Sequence, residues 1–101
     1  MEFQYEPALL EHMKRKNKCT ILVELVQINN SDFEISELHV RFVDGRLRKQ
    51  FLDKGYRLNT TPHGEVLLPR FPLDMEPTVT FGLKKFLLWN HLTYSGIKRL
   101  D

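Results

Sequence analysis

The residues able to do chemistry are few in this chain of 101, and they are widely spaced. Cys19 is the only cysteine, which excludes an internal disulfide and a multi-cysteine tetrahedral metal site within one chain. It follows Lys14-Arg15-Lys16-Asn17-Lys18, cations of the kind that make a thiol more reactive. The plainer expectation is a small half-buried residue at a strand start. His12, His39, His63 and His91 are isolated from one another in sequence. Glu37 and His39 would share one face of a strand, but two ligands without a third or fourth make no zinc site. Ser31, Ser36 and Ser95 lie in no nucleophile elbow. The carboxylates Asp32, Glu34 and Glu37 fall near a loop, where acidic groups are usually solvated rather than poised for acid–base work. No P-loop, dinucleotide-binding glycine motif or HExxH is present. Catalysis is not expected, and no cofactor is.

Two features suit binding better. Arg46, Arg48, Lys49 and Arg57 make the stretch 46–57 basic, which would suit an anion or a nucleic acid if the side chains cluster. Such runs are usually solvated faces, and nucleic acid is not the expected partner. Trp89, beside Asn90 and His91, is the single tryptophan. An apolar run usually buries such a residue; exposed, it would be a partner-binding anchor.

The elements that must carry these residues centre on one stretch. Thr20 to Ile28 is nearly all apolar and rich in β-branched residues, as in a strand covered on both faces. Glu37 to Val43 alternates, with Leu38, Val40 and Phe42 on one face and Glu37, His39 and Arg41 on a wet one. Between them lies NNSDFEIS, from which Phe33 and Ile35 would dip back towards the core. Before them come a short edge strand over 2–5 and an amphipathic helix. That helix opens at Pro7, carries Leu9, Leu10 and Met13 on one stripe, and stops near Asn17 with Lys14, Arg15 and Lys16 in its last turn. After them, Asp44-Gly45 predicts a turn, and 46–54 reads as an irregular or short helical segment. Short strands follow near 56–59 and 65–68. The spacing then predicts a loop over 74–77, a strand over 78–81 ended or bent by Gly82, a turn near 83–86, a strand over about 88–94, and a frayed end from Lys98.

Composition bounds the rest. One domain over 1–101 is expected, with a core that needs no staples. Formal charge is +2 and 42% of residues are hydrophobic, so the chain should fold. The apolar runs are far short of the ~20 residues that span a bilayer, and 1–6 do not read as a signal peptide. A cytoplasmic location and no membrane contact are expected.

The order of elements, the opening Pro7-Ala8-Leu9-Leu10 and above all the ending TVTFGLKKFLLWNHLTYSGIK resemble the HesB-like family of A-type iron–sulfur carriers. The likeness is strongest to its short branch bearing a cysteine/selenocysteine motif. The resemblance implies an α+β fold, a small β-rich sandwich with one N-terminal amphipathic helix. That family binds iron or clusters through cysteines, the first in the loop after the apolar strand. Here that loop holds Asn29, Asn30 and Ser31, and the C-terminal cysteine pair has no counterpart. Amide and hydroxyl oxygens replace thiolates poorly at iron–sulfur clusters. The resemblance therefore implies an interaction module with an unknown protein partner. The alternatives are a degenerate metal carrier using Cys19 across a homodimer, and an anion binder using 46–57.

Overall fold

The computed structural model describes residues 1–29 and 34–99. Its elements are β1 (Glu2–Tyr5), α1 (Pro7–Lys16), β2 (Thr20–Asn29), β3 (Glu34–Phe42), α2 (Gly45–Asp53), β4 (Arg57–Thr61), β5 (Gly64–Leu68), β6 (Leu73–Phe86) and β7 (Trp89–Arg99). They form two mixed sheets, β1-β6-β7 and β3-β2-β5-β4. β1 runs parallel to β6, and β2 parallel to β5; the other pairs are antiparallel. This is a small α+β domain made mostly of strands.

β2 is the hub because both its faces are covered. Ile21 and Val23 point into the larger core, with Val66 and Leu68 from β5, Val79 and Phe81 from β6, Ile97 from β7, and Leu9 and Met13 from α1. Leu22 and Leu67 point the other way, against Phe51 of α2. β3 has one wet side, as its alternation predicts: Leu38, Val40 and Phe42 pack on the larger core while Glu37, His39 and Arg41 are exposed.

α1 begins at Pro7, and its stop at Asn17 takes the left-handed conformation (φ 54°). The fold expected had one N-terminal helix; the segment 46–54, read as irregular or short helical, forms a second, α2. Asp44-Gly45 is not a turn but the start of α2. The Asp44 carboxylate accepts a hydrogen bond from the Leu47 backbone N–H at 2.9 Å, the N-cap arrangement. Leu47 and Phe51, four apart, then face the sheet on one side of the helix.

The C-terminal third departs most from expectation. Asp74 to Pro77 is strand rather than loop, β6 passes through Gly82 and 83–86 unbroken, and β7 extends to Arg99. Gly82 is small because the Glu6 carboxylate and the Thr93 hydroxyl fill the space a Cβ would take. The irregularity lies earlier, where the β6–β7 register shifts between Met75 and Thr80. Pro77, which has no N–H to give, sits in that interval. Among the described residues no helix is long and apolar enough to cross a membrane.

Candidate functional site

The β6–β7 register pairs Leu83 with Leu92, Lys84 with His91, Lys85 with Asn90 and Phe86 with Trp89. Only Leu87 and Leu88 remain to make the turn. Leu83 and Leu92 pack against the core. Beyond them Lys84, Lys85, Asn90 and His91 are exposed. Leu87 is 76% exposed, Leu88 91% and Trp89 69%. Leu87 also has φ 55°, a left-handed backbone that glycine or asparagine adopts readily and leucine does not. In two-residue hairpin loops that open on positive φ, this position is normally glycine, asparagine or aspartate. Large apolar side chains and backbone strain thus coincide at one convex point.

At the base of the hairpin, α1 and β3 frame an open groove of about 270 Å³ with His12, Val40, Phe42, Leu83, His91 and Leu92 on its walls. The His12 ring stacks on Phe42, centroids 5.9 Å apart. Its Nδ1 is buried and has no hydrogen-bond partner among the described residues. Burial holds the His12 imidazole below its ordinary pKa of 6.5, and the positive charges of Arg15, Lys16 and Lys18 push the same way. Both effects favour the neutral imidazole.

A second polar cluster lies where β2, β5 and α2 meet. The Arg48 guanidinium donates twice to the Glu65 carboxylate, at 2.8 and 2.9 Å. The hydroxyl of Thr20, which is 2% exposed, donates to the same carboxylate at 3.1 Å. Arg48 first, and Thr20 to a lesser degree, hold Glu65 below the usual carboxylate range against the opposing effect of burial. The Glu65 carboxylate thus accepts from both neighbours within the fold. Its physical effect is to tie α2 to the β2–β5 pair.

The residues singled out by sequence have different surroundings. Arg48 is turned onto Glu65, while Arg46, Lys49 and Arg57 are exposed. Of the four basic residues singled out, Arg48 alone is engaged by a carboxylate within 4 Å among the described residues. Cys19 is exposed beside this cluster, its Sγ 3.7 Å from the Thr20 hydroxyl. Glu37 and His39 touch at 3.0 Å on the exposed face of β3. Among the described residues no group of three or more His, Cys, Asp or Glu is placed to hold a metal ion. Asn29 ends β2, whereas Asn30, Ser31, Asp32 and Phe33 lie outside the described residues. Trp89 stands in solvent rather than in the core.

No protein-family model, curated protein or solved structure matches this chain.

Leu87 and Leu88 are the site residues that the sequence reading passed over. A signal for them is present. Leu83-Lys84-Lys85-Phe86 and Trp89-Asn90-His91-Leu92 mirror each other about Leu87-Leu88, running apolar, polar, polar, aromatic and back again. Mirror symmetry of this kind places a hairpin turn at its centre.

Proposed function

We propose that this domain works by contact rather than by catalysis, and that it docks through the tip of the β6–β7 hairpin. The observation that carries the reading is Leu87-Leu88-Trp89: three consecutive large apolar residues, all more than two-thirds exposed, with the first in a strained backbone. A turn needed only to reverse the chain would favour Asn-Gly or a leading glycine. Strain kept by apolar residues in solvent suits a surface that is covered when the protein acts. The ending that resembles HesB-like chains is this hairpin, so the proposal uses a HesB-like scaffold for docking and asks nothing of the missing thiolates.

Replacing Leu88 with the photo-crosslinker p-benzoylphenylalanine tests the reading in cells that make the protein. Illumination should give adducts, protein or lipid, from position 88. The same probe at position 58, on β4 far along the chain, should give few. Equal adduct yields at the two positions would refute docking by the tip.

A further inference from the structure

Resting on that docking reading, we infer that the surface the tip meets is the interface of an anionic lipid bilayer. Three observations point there. The first is shape. A stable protein–protein interface buries roughly 800 Å² on each partner and engages about 20–30 residues a side. A two-residue turn with one flanking tryptophan is a convex point that cannot supply such an area. A bilayer interface has no such minimum, because it takes up a small apolar wedge wherever one is presented.

The second is side-chain type. Leu87 and Leu88 have purely apolar side chains, and Trp89 combines an apolar ring with one N–H donor. Tryptophan concentrates at membrane–water interfaces because its ring can lie at the headgroup level with the N–H still hydrogen-bonded.

The third is charge. Lys84 and Lys85 stand just behind the tip, both exposed. Successive strand residues point to opposite faces, so one ammonium flanks each side of the ribbon. Lys84 pairs across the ladder with His91, and Lys85 with Asn90. No aspartate or glutamate occurs from Pro77 to Arg99. An apolar point with a basic collar complements hydrocarbon beneath a layer of phosphate and carboxylate headgroups. The expectation of no membrane contact was drawn from the lack of a spanning run, and a wedge at the surface needs none.

The test uses the protein's own probe, since Trp89 is the single tryptophan. Vesicles of phosphatidylcholine alone and of phosphatidylcholine with phosphatidylserine are added to the intact chain at low salt, with Trp89 emission and co-sedimentation as readouts. The phosphatidylserine vesicles should shift the emission to the blue and carry the protein down; the neutral ones should bind it far more weakly. Each lysine near an anionic surface strengthens partition by about fivefold, so Lys84→Gln with Lys85→Gln should weaken binding roughly 25-fold. Leu87→Ser with Leu88→Ser should abolish the shift while leaving the far-ultraviolet circular dichroism unchanged. Absence of a shift with either vesicle, or binding indifferent to the serine pair, would overturn the inference. Protein adducts at position 88 without vesicle binding would leave the docking reading standing and identify a protein as the occupant. No adducts and no vesicle binding would remove both.

Discussion

Gly64 and Gly82 are each hemmed in, but by neighbours of different kinds. A Cβ on Gly64 would lie 2.3 Å from the Cys19 carbonyl oxygen, a backbone atom held in place because it accepts from the Glu65 N–H at 2.8 Å. A Cβ on Gly82 would meet only side-chain atoms of Glu6 and Thr93, and the Glu6 side chain can swing into solvent. Gly64→Ala should therefore cost about 2–3 kcal/mol in urea unfolding, and Gly82→Ala less than about 1 kcal/mol. Two titrating residues give the stability its acid-side shape. Glu65 has a depressed pKa in the fold. Its contribution is complete above the ordinary value of 4.5 and is lost as pH falls through the folded value. His12 is depressed from 6.5, so its contribution is complete above that value and declines below it. Urea midpoints measured downwards from neutral pH should fall first through the His12 window. His12→Gln should flatten that first decline, and Arg48→Met the later one. At this scale the sequence was readable where cause and effect are close together. Pro7 starting a helix and Asn17 ending it are examples. Gly82 was misread because the group that excludes a side chain there, Glu6, comes from the opposite part of the chain.

Hairpins show the same division between local and distant causes. The alternation of β3 could be read directly, because one of its faces is wet. The apolar run of β2 betrayed its two covered faces. β6 hid its 14-residue length. Pro77 and Gly82 are conventional strand breakers, and each is accommodated by something remote: a register shift against β7 for Pro77, and the Glu6 side chain for Gly82. The tip was obscured because Leu-Leu-Trp reads as core when nothing in the chain states that the ribbon has run past its core. The strain at Leu87 makes a further prediction. Leu87→Asn suits the left-handed backbone and should raise stability by about 0.5 kcal/mol, seen as a higher urea midpoint at an unchanged slope. The same substitution should weaken docking. A residue that improves the fold while impairing contact would separate the two roles of this turn.

The whole molecule is layered, with α2 on one face of the four-stranded sheet and the three-stranded sheet with α1 on the other. Burial, rather than residue type, decides what each aromatic contributes. Phe51 is 4% exposed between α2 and the sheet, and Phe51→Ala should cost about 3–4 kcal/mol. Trp89→Ala, at the exposed tip, should stay within about 0.5 kcal/mol of the parent. Thermal melts followed by circular dichroism would compare the two directly. Near-equal losses would mean that the tip belongs to the core. The parallel pairing of β1 with β6 also bears on how the protein is made. Glu2 lies opposite Thr78, and Tyr5 opposite Phe81. A ribosome delivers β1 well before β6, since each pair joins residues 76 positions apart. During that interval Phe3 and Tyr5 lack their partner strand, so β1 waits for β6 to be paired.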